Sequence, residues 1–231
     1  MSARAQRYTL LQIIVHVYAW SALIMICFDL LAGNLSANPI QEIEQRTGRH
    51  AITLLMLSLA CTPLNTLFGW RELIQRRRTL GLYAFMYGAL HATIYVNLDY
   101  GFAWSLLAQT IGEKPYILLG ILGLLMLTPL AITSFDLWKR RLGKRWKRLH
   151  RTVYLIAPIL LLHYAWSKKG DLFTLQGDIV RPLIYSLIAG VLLLARIPSI
   201  RRSIASFRRR ALAQFQKRSA APGARQRESY D

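Results

Sequence analysis

Residues 147–164 read KRLHRTVYLIAPILLLHY. A basic cluster runs directly into an apolar stretch that carries two imidazoles, His150 and His163, thirteen positions apart. Bilayer hydrocarbon penalises polar side chains that lack a partner. Two imidazoles in such a stretch need partners, and the rest of the chain has to supply them.

Working outward, the chain has 231 residues, 54% of them hydrophobic, and a formal net charge of +19. Charge alone would suit a nucleic-acid binder. The Lys and Arg are instead gathered between long uncharged apolar runs, so no nucleic-acid partner is expected. Six runs, near 8–31, 51–68, 80–98, 115–133, 149–166 and 179–197, approach the length of about 20 residues that a spanning helix needs. The second contains Pro63 and is among the shortest. Only helices and closed barrels satisfy their backbone in lipid, and runs this apolar are helical. The expectation is an all-α integral membrane protein: a six-helix transmembrane bundle over residues 1–198, then a basic tail over 199–231. The tail's basic part suits anionic lipid or a topology anchor, and its polar end is expected to be disordered.

Orientation follows the distribution of Lys and Arg. Arg4 and Arg7, the second loop with Arg71, Arg76, Arg77 and Arg78, the fourth loop from Lys139 to Arg151, and the tail from Arg196 fall on one side of six alternating spans. That side holds 24 basic residues, against six on the other: Arg46, Arg49, Lys114, Lys168, Lys169 and Arg181. Both termini are therefore expected in the cytoplasm. The first run is too long for a signal-peptide core and is read as retained. Cys27 and Cys61 both fall inside spans, which supports neither a disulfide framework nor an iron–sulfur cluster. No repeat at a fixed period is visible, and there is no Gly-rich phosphate loop. Any chemistry belongs in or at the edge of the bundle.

Five histidines are candidates. His91 lies twelve positions after Thr79, and His163 twelve after Arg151, each counted from the same membrane edge. The third and fifth spans run in the same direction, so both imidazoles reach matched depth, roughly 18 Å in, toward the outer half. Two imidazoles facing one another at one level supply both axial ligands of a haem, which favours electron transfer over oxygen chemistry. His150 lies about 19.5 Å below His163 along the same helix, at the cytoplasmic edge and about 140° around the axis. That allows a second cofactor there, and equally an interfacial residue in a basic loop. Pro158 between them is expected to kink the helix. His16, in the inner third of the first span, is placed to complete a site with His150 or to sit as a structural histidine. His50 reads as an edge residue in contact with water. Asp29 pairs with an outer-side charge or holds nothing. Trp20, Trp70, Trp104, Trp138 and Trp166 read as an interfacial belt. Lys168 and Lys169 either steer an acidic partner or are simply solvated.

These residues sit in recognisable blocks: NPIQEIEQRTGRHA after the first span, TPL at 62–64, RRRTLGLYAFMYGALHATIY around His91, KPYILLGI, PLAITS, and LGKRWKRLHRTVYLIAPILLLHY around His150 and His163. Over about residues 10–197 the chain closely resembles the MsrQ (formerly YedZ) family, haem-binding membrane subunits of the periplasmic methionine sulfoxide reductase system. The resemblance implies a ferric-reductase-like transmembrane fold in a bacterial inner membrane, b-type haem (one or two) and FMN. His91, His150 and His163 carry over within their blocks, and His16 less distinctively. It further implies electrons taken from the quinone pool or a cytoplasmic flavin reductase and passed outward to the molybdenum-containing partner MsrP. Its reduction of methionine sulfoxide restores an apolar side chain. No FMN site emerges from the residues themselves, although the forked guanidinium groups of Arg77 and Arg78 suit phosphate oxygens.

Two other functions compete. A stand-alone ferric-reductase-like enzyme needs its own outer substrate site, which the short outer loops do not offer. A proton channel or transporter would relay protons through the histidines and would purify colourless.

Overall fold

The computed structural model describes residues 9–168, 170–171 and 176–220. Arg4, Arg7, Lys169 and the end of the tail, 221–231, lie outside them. Among the described residues ten helices follow in chain order: α1 (Leu10–Leu31), α2 (Pro39–Phe68), α3 (Arg71–Ile94), α4 (Trp104–Glu113), α5 (Tyr116–Ile132), α6 (Asp136–Leu142), α7 (Lys144–Arg151), α8 (Val153–Trp166), α9 (Val180–Leu194) and α10 (Pro198–Ala220). A π-helical segment, Tyr95–Asp99, continues α3. The described strands are a two-residue antiparallel pair, β1 (Gly170–Asp171) and β2 (Gln176–Gly177).

α2 is the central post. The Asn38 side chain accepts from the Gln41 N–H at 3.2 Å, and Pro39 opens the helix, where its missing N–H costs nothing. The NPIQEIEQRTGRHA block is therefore helical rather than a loop, and α2 begins twelve residues earlier than its apolar run. Thirty residues span about 45 Å, more than the roughly 30 Å of bilayer hydrocarbon. The helix closes on Gly69, whose left-handed φ of +76° lets its N–H bond the Asn65 carbonyl. Only Gly69 and Trp70 separate α2 from α3, so Arg71, Arg76, Arg77 and Arg78 stand in α3 and not in a loop.

The core forms where α2, α3 and α8 meet. Leu54, Leu55, Leu59 and Cys61 pack with Ala84 and Tyr87 of α3 and with Ile156 and Ala157 of α8. Arg196, just past α9, donates to the Tyr154 hydroxyl at 2.5 Å and to the Leu59 carbonyl, tying α9 to α8 and α2. Most of α1 faces outward: Ile14, Val17, Ile24, Met25, Phe28 and Leu31 are exposed. An apolar face this continuous requires an apolar surrounding.

Six helices, α1, α2, α3, α5, α8 and α9, overlap the six apolar runs. By length and composition two of the described helices, α1 and α2, suffice to cross a bilayer. The pairs α4–α5, bent by 110°, and α9–α10, bent by 81°, qualify only when each pair is taken as one span, which makes up to four. α3 falls short because four arginines, Arg71, Arg76, Arg77 and Arg78, occupy its early turns. α8 has 14 residues, about 21 Å. The helix expected over 149–166 is broken at Thr152, which separates α7 from α8, while Pro158 is accommodated inside α8.

On the opposite end from Gly69, Arg46 joins Asp29 of α1 to Glu42, one turn earlier in α2. Asp29 thus pairs with a basic side chain. Lys168 is committed as well, donating to Asp178 at 2.9 Å and to the Gln45 side chain at 3.1 Å. That ammonium holds the Asp178 carboxyl below the usual carboxylate range.

Candidate functional site

α3 and α8 bring two of the five histidines together. The rings of His91 and His163 lie with centroids 6.3 Å apart and planes at 73°. Each ring is fixed from behind by a main-chain carbonyl. His91 Nδ1 bonds the Glu44 carbonyl at 2.9 Å, and His163 Nδ1 bonds the Tyr116 carbonyl at 2.8 Å. A carbonyl only accepts, so each Nδ1 carries the proton and each Nε2 keeps its lone pair. Metal-bound imidazoles are oriented by this same device.

Two glycines make room for the rings. A Cβ added at Gly48 of α2 would meet His91 Nδ1 at 3.1 Å, and one at Gly120 of α5 would meet His163 Cε1 at 2.8 Å. Two metal–imidazole bonds of about 2 Å, with about 1.1 Å from each Nε2 to its ring centre, put the centres about 6.2 Å apart. The observed separation therefore fits one metal between the rings. Two nitrogen donors leave four positions, which suits an iron whose remaining ligands come from a porphyrin. Among the described residues no group of three or more His, Cys, Asp or Glu converges on a point.

His150 is held differently. Thr133 Oγ1 donates to the Pro129 carbonyl at 2.6 Å and so accepts from His150 Nε2 at 3.1 Å. The ring stacks on Trp146, centroids 4.1 Å apart, and Trp146 Nε1 donates to the Thr133 carbonyl. His150 consequently presents Nδ1 rather than Nε2. His16 Nδ1 bonds the Tyr83 hydroxyl at 2.8 Å. The two keep separate partners.

His50 departs from its expected place at a wet edge. Its ring lies between Tyr18, at 4.9 Å, and Tyr87, at 4.5 Å, and its Nε2 is buried without a hydrogen-bond partner. The early extension of α2 is the cause, since it carries His50 nearly three turns into the helix. Nearby, a cavity of about 430 Å³ opens between α1, α2 and α9, lined by Met25, Asp29, Arg49, His50, Arg181 and Tyr185. A more apolar one of about 440 Å³, lined by Phe85, Ala89, Ala92, Val96, Phe102 and Leu124, lies between α3 and α5. Of the arginines proposed for a phosphate, Arg78 is engaged by Asp136 at 3.3 Å and lies over the Phe135 ring.

Sequence reading missed Gly48, Gly120, Trp146 and Thr133. The glycines had a legible signal: His91 follows Gly48 by 43 positions, and His163 follows Gly120 by 43.

Residues 47–161 match the family model described as ferric reductase like transmembrane component. Fold and site thus define a ferric-reductase-like transmembrane protein. More narrowly, the chain is 44% identical over 159 residues to the protein-methionine-sulfoxide reductase heme-binding subunit MsrQ of Xanthomonas campestris pv. campestris (strain 8004), covering 69% of this chain and 70% of that one. It is 42% identical over 168 residues to the MsrQ of Herminiimonas arsenicoxydans, covering 72% and 75%. To that of Rhodospirillum rubrum it is 42% identical over 174 residues, covering 74% and 80%. The chain belongs to the MsrQ family.

Proposed function

We propose that this chain is a haem b subunit that carries electrons across the bacterial inner membrane to a periplasmic methionine sulfoxide reductase, MsrP. The observation that carries this reading is the His91–His163 pair: 6.3 Å between centroids, each Nδ1 tied to a carbonyl and each Nε2 left to a metal. The haem-binding names of its relatives support it.

A haem bound there supplies a one-electron ferric–ferrous couple. The chain's own residues set its conditions. His91 and His163 would hold the iron through their Nε2 nitrogens and would leave small ligands no open position on it. The Glu44 and Tyr116 carbonyls fix the tautomers and make the imidazoles better donors. Packed helices restrict water and so tune the potential.

In this reading α1, α2, α3, α5, α8 and α9 are six spans with both termini in the cytoplasm, and His91 and His163 lie toward the outer face. Electrons enter from the quinone pool or from a cytoplasmic flavin reductase. FMN enters only through the family resemblance, and with Arg78 engaged by Asp136, Arg77 is the freer candidate for its phosphate. His150, stacked on Trp146, ligates or neighbours a second redox centre, and His16 is the weaker candidate for that centre.

Visible and EPR spectra of the purified full chain test the pairing. His91→Ala and His163→Ala are each expected to abolish the low-spin haem signature, and two single variants that kept it unchanged would sink the assignment. Haem-free wild-type protein would favour a histidine proton relay, and ferric-chelate reduction without MsrP a stand-alone reductase.

A further inference from the structure

We propose that Gly48 and Gly120 are paired positioning residues, and that α2–α3 and α5–α8 are two copies of one ligand-holding unit. The proposal rests on the haem reading above and adds to it the groups that set the angle of each imidazole.

Three parts recur in each unit. A carbonyl accepts from the histidine Nδ1: Glu44 in the first, Tyr116 in the second. A glycine four residues later, one turn along the same helix, lies against the ring: Gly48 and Gly120. The histidine follows on the next core helix. Carbonyl and histidine are 47 positions apart in both units, and all three positions recur with an offset of 72 residues. Equal spacing at three positions, with the same contacts at each, is a shared architecture and not a coincidence of composition.

Glycine inside a helix is destabilising relative to alanine, so each of these positions needs a local reason. The ring supplies it. Carbon atoms rest at about 3.5–4.0 Å, and an added Cβ at position 120 would stand 2.8 Å from Cε1, 3.0 Å from Nδ1 and 3.2 Å from Nε2 of His163. The ring would have to turn or retreat, carrying Nε2 with it. At position 48 the corresponding contacts are 3.1 Å to Nδ1, 3.2 Å to Cε1 and 3.6 Å to Cγ of His91. There a shift of a few tenths of an ångström suffices, and Nε2 is not among the crowded atoms. The two seats therefore differ in tolerance, with Gly120 the stricter. A glycine that merely lets helices approach crowds a neighbouring aliphatic side chain, as Gly123 does against Leu160, where the added Cβ would run into Cδ2. At Gly88 the added Cβ would make only an ordinary 3.7 Å contact with Leu124.

The test uses the full chain purified with its haem. In Gly120→Ala the low-spin bis-imidazole EPR signal is expected to be lost in favour of a high-spin one, and the reduced protein is expected to bind carbon monoxide. Gly48→Ala is expected to stay low-spin with shifted g values and a shifted midpoint potential. Gly88→Ala should leave all three readouts at wild-type values. A Gly120→Ala protein that kept the wild-type EPR spectrum and excluded carbon monoxide would overturn the proposal. If that variant fails to accumulate, Gly48→Ala decides: wild-type g values and potential overturn it. His163→Ala separates the two levels of argument. If it keeps the low-spin spectrum, the haem reading fails. If it loses that spectrum while the glycine variants do not differ from wild type, only the present proposal fails.

Discussion

At the scale of the residue, His50 and His91 show how little the residue type decides. Both lie among helices near the same end of the bundle, yet His91 has a carbonyl behind Nδ1 and a second imidazole before it, while His50 has a tyrosine on either side. A buried nitrogen with no partner costs about 1–3 kcal/mol, and an aromatic ring between two tyrosines keeps its edge contacts without that nitrogen. His50→Phe is therefore expected to hold or raise the melting temperature in detergent, by the equivalent of about 1 kcal/mol, with an unchanged haem spectrum. A clear fall in either would mean that the imidazole serves a ligand or a bound water. Counting positions from the basic edges brought His91 and His163 to one level, because helical rise is fixed by the backbone. It gave no account of their carbonyl partners, since a main-chain acceptor has no residue identity to read. Gly48 and Gly120 were readable in principle, through their equal distance from the two histidines.

At the scale of the element, hydropathy located six helices but not their ends. α2 starts at Pro39 because Asn38 and Pro39 form a good helix start, a capping signal that outweighs the polar residues after it. The break at Thr152 was not legible, and it removes the premise of one straight helix on which the 140° between His150 and His163 was reckoned. Basic residues assigned to loops two and four stand instead in α3, α6 and α7. The tail is helical as far as Ala220, and α10 is held beneath α2: Arg208 donates to the Asn65 and Thr66 carbonyls in the last turn of α2, the first of which also accepts from the Gly69 N–H. Cations at a helix C-terminus are favoured by its dipole as well. Arg208→Ala is expected to free α10. Limited trypsin digestion should then cleave at Arg201, Arg202, Arg209 and Arg210 several-fold faster than in wild type, with the haem spectrum unaltered. Equal cleavage rates would show that α10 is held by something other than this cap.

At the scale of the whole molecule, charge and apolar exposure have to describe the same slab. α1 presents apolar side chains along most of its length, which requires lipid around it. Arg46, with its two carboxylates Asp29 and Glu42, and Lys168, with Asp178, gather at the end of the bundle opposite Gly69. Toward the Gly69 end stand Arg76, Arg77 and Arg78, and Arg208 caps α2 there. Basic residues next to spans are retained in the cytoplasm, so the arginine-rich end is expected inside and the ion-paired end outside. Reporter fusions in a bacterial host measure this directly. Alkaline phosphatase fused after Ala103, between the π segment and α4, is expected to be active. The same enzyme fused after Gly143, between α6 and α7, is expected to be inactive, while a fluorescent protein at that position should be bright. The reverse pattern would turn the bundle over, moving the His91–His163 pair toward the cytoplasmic leaflet and away from any periplasmic acceptor. The direction of electron flow in the proposed function depends on that outcome, because a pair near one end of the bundle serves an acceptor only on the side it faces.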